Sequence, residues 1–432
     1  MKYLKSFMKN RIPAQLVIQL TNHCNARCPQ CGMRVTAKFP RSVLSKDTLK
    51  RIVDAAAAKG VQALSFTGGE PLLFLDDLID MMAYAGKLGI PFVRTGTNGY
   101  LLRHSNHPDF EERIKRLAQR LAETNLRNFW ISVDSAYGDT HEQMRGLDGV
   151  VAGIEKALPI FNAAGLYPSA NLGINRLVAG PFTDELHPRH YSDSDAYLNA
   201  FYHCYCNAFD RFYQFVRDLG FTIVNTCYPM SIGEDELAGG MNAVYAATAD
   251  DAVVRFTPSE KRMLYKALLH TIPKHRSSLR IFSPLSSLYM LMRQHTATMK
   301  KLPSYGCRGG VDFFFISAEN GSTYPCGYRG HEDLGRFWDL NLSDLKPNGD
   351  CRLCDWECFR DPTEMCSPVL ESIHRPVHLL RRQFRNSTYL KYWIEDMRYY
   401  MACGFFDGRQ PMDPGKLRTF IPKVAQKKAI EC

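Results

Sequence analysis

Two rhythms of apolar residues alternate along the first half of this chain. Short runs such as Leu16-Val17-Ile18-Gln19-Leu20 read as buried strands, and longer stretches with apolar side chains three and four apart read as helices. Strands are predicted over residues 16–20, 61–66, 91–94, 128–133, 170–174 and 221–227. Between them, a helix is predicted from a Ser45 cap through Ile52 to Ala58, and others over residues 78–88, 110–123, 150–164 and 197–219. Gly60, Gly165 and Gly220 stand where three of these helices should stop, a position that favours a residue without a Cβ. Six strand–helix units of this size predict an α/β fold, a parallel sheet curled into a partial (β/α)6 barrel of the TIM type. Chemistry in such barrels collects at the C-terminal ends of the strands.

The rhythm then changes. Residues 236–302 read as a helical linker, with a capping signal at Thr257-Pro258-Ser259-Glu260 and apolar positions at Met263, Leu264, Leu268 and Leu269. Residues 288–292 form a further apolar stretch expected to pack. A strand at 312–317, a turn at Glu319-Asn320-Gly321-Ser322 and a return through 323–325 predict a β-hairpin. Two amphipathic helical patterns, 377–384 and 389–401, open a tail that is expected to pack, cap the barrel or bind substrate. The expected organisation is a barrel over 1–235, the linker over 236–302, a small cysteine-rich domain over 303–370 and a helical tail over 371–432.

Composition narrows the class. With 432 residues, 45% apolar and 23% charged, the chain is long enough for a large core and two or three domains. Its 14 cysteines cluster in short spacings rather than a disulfide framework, which points to metal in a reducing compartment, the cytosol. The basic start, Met1-Lys2-Tyr3-Leu4-Lys5, is followed by Lys9, Asn10, Arg11 and Gln15, so no secretory signal is expected. No apolar run reaches a transmembrane length of ~20 residues. The net charge is +10, and residues 371–432 hold twelve Lys/Arg against six Asp/Glu. An excess of this kind attracts anionic partners. No sustained basic run appears, so a solvated basic helix is the plainer reading and no DNA partner is expected.

The chemistry centres on Cys24-Asn25-Ala26-Arg27-Cys28-Pro29-Gln30-Cys31, just after the first strand. Three thiolates spaced C-x3-C-x2-C can hold three irons of a cubane whose usual complement is four, leaving one corner open. A vacant metal position is a place for substrate or cofactor. After strand two comes Thr67-Gly68-Gly69-Glu70-Pro71, and after strand three Thr97-Asn98-Gly99. Strand four ends in Ser132-Val133-Asp134, followed by His141-Glu142-Gln143-Met144-Arg145-Gly146. Taken singly, each has a structural reading, a Gly-Gly or Asn-Gly turn above all. Taken in order at successive strand ends, they resemble the signature motifs of the radical S-adenosylmethionine (radical SAM) superfamily. The resemblance implies a 4Fe–4S cluster on Cys24, Cys28 and Cys31, with SAM chelating the fourth iron. It also implies that Gly68, Gly69, Glu70 and Pro71 receive the SAM amino group and that Thr97 and Asn98 lie by the ribose. Ser132 and Arg145 would hold the carboxylate, Asp134 would lie near the ribose, and Asn171 on strand five is a further candidate.

Other polar residues are read more plainly. Asp184, Glu185, His187, His190, Asp193 and Asp195 follow no metal-ligand spacing and read as a surface loop. Cys204 and Cys206 on one helix point to different faces and read as core. Cys227, ending strand six, is a candidate hydrogen-atom donor to a substrate radical if it faces the barrel interior.

A second cysteine field holds Cys307, Cys326, Cys351, Cys354, Cys358 and Cys366. Paired cysteines also make zinc ribbons. Beside the first triad, the run Cys307, Gly321, Cys326 resembles the opening of the SPASM/Twitch extension of radical SAM enzymes. The resemblance implies at least one auxiliary 4Fe–4S cluster. The later spacing, C-x2-C-x3-C-x7-C, departs from that pattern and gives six cysteines for its seven. One cluster would use Cys307, Cys326, Cys351 and Cys354; two would need a ligand other than cysteine or an open iron.

Over residues 14–366 the resemblance implies reductive cleavage of SAM to methionine and a 5′-deoxyadenosyl radical, which takes hydrogen from a substrate. An electron donor such as flavodoxin or ferredoxin is then a partner. The first strand begins near residue 16, leaving no room for a leader-binding module before it, which favours a small metabolite, sugar, nucleoside or lipid, with an anionic one suited to the basic charge. A peptide or protein maturase is the alternative, and a non-catalytic Fe–S or zinc protein a further one.

Overall fold

The computed structural model describes residues 6–31, 41–229, 231–244, 252–296, 305–346, 351 and 354–422. The basic first residues, the end of the linker near Met299, Arg352-Leu353 and residues 423–432 lie outside the described residues. The predicted strands appear as β1 (Gln15–Thr21), β2 (Ala63–Gly68), β3 (Phe92–Thr97), β4 (Leu126–Ser132), β5 (Ser169–Gly173) and β6 (Ile223–Cys227). They pair in parallel in chain order. Helices α1 (Lys46–Ala58), α2 (Leu75–Lys87), α3 (Phe110–Ala122), α4 (Gly138–Arg145), α5 (Val150–Ala163) and α6 (Ser194–Asp218) lie between them. Ser45 caps α1 as expected, its hydroxyl accepting from the Thr48 N–H.

The sheet extends further than six strands. A two-residue strand β7 (Arg280–Ile281) pairs with β6, after the helix α7 (Pro258–His275) and its capping box. On the other edge β8 (Phe313–Ile316) pairs in parallel with β1, and β9 (Thr323–Tyr324) turns back antiparallel to β8. The hairpin that the sequence predicts thus joins the barrel sheet, and it delivers the second cysteine field to the barrel's side.

Period-two alternation sorts the strand residues between two environments. Leu16 and Ile18, Leu64 and Phe66, Phe129 and Ile131, and Ala170 and Leu172 face the helices and form the main core. Their neighbours Val17, Ser65, Arg94, Trp130, Asn171 and Asn225 face the other way and line one cavity. A single cavity lined from β1 through β6 and from β8 requires a sheet curled around it. In β8 itself, Phe314 and Ile316 enter the main core, while Phe313 and Phe315 join Cys307, Cys326, Cys354, Trp356 and Phe359 in a second one.

The remaining helices are α8 (Leu285–Gln294), α9 (Glu357–His374), α10 (Pro376–Arg385) and α11 (Ser387–Ala402). The tail packs beneath the sheet. Arg409 donates to the carbonyls of Leu126 and Thr124, at and before the start of β4, at 2.6 and 2.7 Å. Asp396 on α11 accepts from Arg276 at 2.6 Å, a fully buried ion pair. These contacts lie at the N-terminal ends of the strands, away from the mouth. Among the described residues no helix is long and apolar enough to cross a membrane.

Candidate active site

The loop after β1 carries Cys24, Cys28 and Cys31 to the C-terminal mouth of the sheet, where all three line the cavity. Its position is fixed on both sides. The Arg27 N–H donates to the Arg145 carbonyl at 2.9 Å, and the Glu70 and Gly69 N–H groups donate to the His23 and Thr21 carbonyls at 2.8 Å. Glycine is required at that second join: a Cβ on Gly69 would stand 2.0 Å from the His23 carbonyl oxygen, and one on Gly68 2.2 Å from that of Thr21. The close approach made by these glycines is therefore to the backbone just before Cys24.

Glu70 is buried in that joint. Its Oε2 accepts the Asn98 N–H at 2.6 Å and its Oε1 the Leu72 N–H at 3.1 Å. Burial raises its carboxyl to about 7 against the pull of those donors. The Asn98 amide lies 3.8 Å from Cys24 Sγ and donates to Asn25 Oδ1 at 2.8 Å. Thr97, Pro71, Ser132 and Asn171 line the same cavity.

Asp134 and Arg145 form a buried ion pair at 2.6 Å, with a second bond from Arg145 Nε at 2.8 Å. The same carboxylate accepts from Gln30 Nε2 at 2.7 Å and from the Gly173 N–H at 3.3 Å. Arg145, read from the resemblance as a holder of the SAM carboxylate, is thus committed to Asp134 here, and through Gln30 the pair braces the cysteine loop.

His141 supports Asp134 from behind, its Nδ1 accepting the Asp134 N–H at 3.0 Å. Burial lowers its pKa from 6.5 to about 4, so the unfolded chain takes up that proton first as the pH falls. Stability tied to neutral His141 is complete above about pH 6.5 and lost by about pH 4, up to about 3 kcal/mol. The raised Glu70 carboxyl acts oppositely over an overlapping range, losing stability as the pH rises. Comparing His141→Gln with wild type isolates the histidine: the stability gap in urea, measured on metal-free protein, should narrow between pH 7 and pH 4.5. A gap constant with pH would show that His141 keeps an ordinary pKa.

The second cysteine field divides. Burial, and then the nearness of the other thiols, Cys351 among them, raises the thiol pKa of Cys307, Cys326 and Cys354. The Cys307 N–H donates to the Cys351 carbonyl at 3.1 Å. Cys366 packs against the same core but feels Asp312 rather than the other thiols. Cys358 enters the barrel cavity instead, its thiol 3.4 Å from Glu357 Oε1. Cys227 lines the cavity too, 3.5 Å from Asn171 Oδ1, with Glu357 and Cys358 nearby.

Both thiol sets fit iron–sulfur clusters by their donors. The first offers three soft ligands on one loop, and the other cysteines of the cavity, Cys227 and Cys358, sit instead beside Asn171 and Glu357. The second offers four. Peptide N–H groups of Gly309 and Tyr328 donate to the sulfurs of Cys307 and Cys326 at 3.4 Å. Buried Arg360 feels Glu364 first and then Cys307, Cys354 and Cys351, and among the described residues its Nε and Nη1 have no hydrogen-bond partner, an environment an anionic cluster would complete.

Arg94, Trp130, Trp356 and Glu357 also line the cavity, and sequence reading did not single them out. The signal was present: Ser65/Thr67, Arg94/Gly96 and Asn128/Trp130 sit at alternate strand positions where a purely structural strand would be apolar on both faces.

The fold and the strand-end motifs match those of radical SAM enzymes. The radical SAM superfamily model matches residues 18–186, the segment that carries the triad and these motifs. It is 23% identical to the AdoMet-dependent heme synthase of Methanosarcina barkeri, over 73% of this chain and 77% of that one. It is 30% identical to the GTP 3′,8-cyclase of Synechococcus sp., over 41% of this chain. That alignment spans only 52% of the cyclase. Among solved structures, native anSMEcpe with bound AdoMet aligns with a TM-score of 0.48 at 17% identity, covering 78% of this chain and 82% of that one.

Proposed function

We propose that this protein binds SAM at a 4Fe–4S cluster held by Cys24, Cys28 and Cys31 and acts on a small-molecule substrate inside the barrel, with one auxiliary 4Fe–4S cluster on Cys307, Cys326, Cys351 and Cys354. The observation that carries the reading is the convergence of the triad, Glu70, Asn98, Ser132 and the Asp134–Arg145 pair on one cavity that continues into the sheet's interior. When bound, the cluster and SAM supply a 5′-deoxyadenosyl radical that removes a hydrogen atom from substrate. The chain's residues position and enclose. Glu70 and the backbone around it present a polar edge for the SAM amino group, and Thr97, Asn98 and Ser132 supply further donors and acceptors. The apolar walls of the inner cavity exclude water from a reactive intermediate. Relatives named for heme and for GTP support a small molecule as substrate.

Cys227 is the candidate to return a hydrogen atom, since it lines the cavity. Burial raises its thiol pKa well above the ordinary value, so the S–H bond that such a step needs is kept. The electron donor would then reduce the resulting sulfur radical, with uptake of a proton.

Anaerobic reconstitution followed by chromatography tests the proposal: SAM and reductant should yield 5′-deoxyadenosine, and a zinc-loaded, colourless protein without that product would refute it. Iron counting separates the cysteines. Wild type should hold about eight irons, at about four per cubane. Cys307→Ser should lose about four, whereas Cys358→Ser and Cys366→Ser should lose none. Iron loss in either of the latter would bring that cysteine back as a ligand.

A further inference from the structure

We propose that Arg94 is the anchor for an anionic group of the substrate, a carboxylate or phosphate carried on an apolar, planar body. This deepens, and rests on, the reading of the barrel interior as a substrate site. Arg94 lies on β3 in register with Ser65 of β2 and Asn128 of β4, and all three line the cavity. It sits three residues before Thr97, so at ~3.3 Å per residue it is about 10 Å further in than the SAM motifs. Its one hydrogen-bond partner among the described residues is Ser65 Oγ, at 2.7 Å, and it takes part in no ion pair among them.

That is unusual within this molecule. Arg145, Arg276 and Arg308 are more deeply buried than half-buried Arg94 and each has a carboxylate at 2.5–2.6 Å, while Arg360 has one at 3.9 Å. Arg280, which lacks one, is held by the Asp407 carbonyl at 3.2 Å and the Thr222 hydroxyl at 2.9 Å. A guanidinium withdrawn from water without a counter-charge is costly, and an oxyanion presented to its planar fork offsets that cost best.

The nearest acidic side chain does not fill the role. Glu357 Oε2 accepts the Tyr228 N–H at 3.3 Å and Oε1 accepts from the Cys358 thiol at 3.4 Å. Both of its oxygens are thus taken by partners other than Arg94.

The surrounding walls specify the rest of the ligand. A Cβ on Gly96 would fall within 2.0–2.2 Å of three indole atoms of Trp130, so the missing side chain lets the indole lie across β3. Phe315, Trp356 and Phe282 line the same space. An apolar or planar body buries well among such faces, while Asn128, Asn171 and Asn225 offer amides to polar substituents.

Calorimetry on reconstituted protein without SAM tests the anchor, using benzoate, phenyl phosphate and neutral benzamide as probes. Wild type should bind one of the two anions about tenfold or more tighter than benzamide, as a charge-assisted pair requires. Whichever anion wins identifies carboxylate or phosphate. Arg94→Gln should lose the preference, and Arg94→Lys should keep part of it. Equal binding of all three probes, no binding of either anion, or a preference that survives Arg94→Gln would overturn the proposal. Should Arg94→Gln fail to fold, wild-type crystals soaked in 4-iodobenzoate decide: the iodine should lie in the cavity with the carboxylate on Arg94, and any other location refutes the anchor. No step requires SAM cleavage, so a wild type that makes no 5′-deoxyadenosine would sink the proposed function without touching this result.

Discussion

Replacing Cys24, Cys28 or Cys31 with alanine is expected to abolish 5′-deoxyadenosine formation and to lower bound iron by about four atoms per chain. The reason is coordination. Three thiolates hold three irons, and a cubane already lacking a protein ligand at one corner cannot spare a second. The auxiliary set should keep its iron, because Cys307, Cys326, Cys351 and Cys354 lie with the second core, outside the cavity that holds the triad. For Cys24→Ala and Cys31→Ala the unfolding midpoint of the metal-free protein should change little, since these two are only partly buried. Iron analysis and chromatography on the three variants check this. Full iron retention, or product formation by any one of them, would show that the triad is not the SAM-binding cluster site.

The second large effect is on stability. Arg145→Met should cost about 3–5 kcal/mol, because it strands the Asp134 carboxylate in a site with almost no access to water. Asp134 would then keep only Gln30 Nε2 and the Gly173 N–H as partners. Asp134→Leu should cost a similar amount by stranding the guanidinium. The double variant should regain most of the loss, since removing both charges leaves neither uncompensated. Urea unfolding of the metal-free proteins measures all three. Losses under about 1 kcal/mol in the single variants would mean that the pair behaves as an exposed one. Because Gln30 links Asp134 to the cysteine loop, the single variants should also load iron at the triad poorly.

The strands and the motifs at their ends were legible in the sequence because both follow from local patterns. Apolar runs mark a parallel sheet buried under helices, and Gly-Gly-Glu, Asn-Gly and the cysteine spacing sit at the points where those runs stop. Ser45 and the Thr257–Glu260 box fixed two helix starts for the same local reason. What sequence did not show is long-range. Pairing of β8 with β1 joins residues about three hundred positions apart, which no local signal encodes. That pairing, with the start of α9, carries Trp356, Glu357 and Cys358 to the barrel interior, so Cys358 opens onto the cavity and Cys354, in the same cysteine run, does not. Arg94 was hidden differently: read along the chain it interrupts a strand, and only the curled sheet shows that its side of the strand faces a cavity.

The central claim is that an iron at the first triad is open to SAM, and labelled SAM tests it most directly. Reduced, reconstituted protein with SAM carrying 15N in its amino group should show hyperfine coupling between that nitrogen and the cluster electron spin, in wild type and in Cys307→Ser but not in Cys24→Ala. A reduced cluster with no coupling to the label in wild type, or the same coupling in Cys24→Ala, would contradict the account.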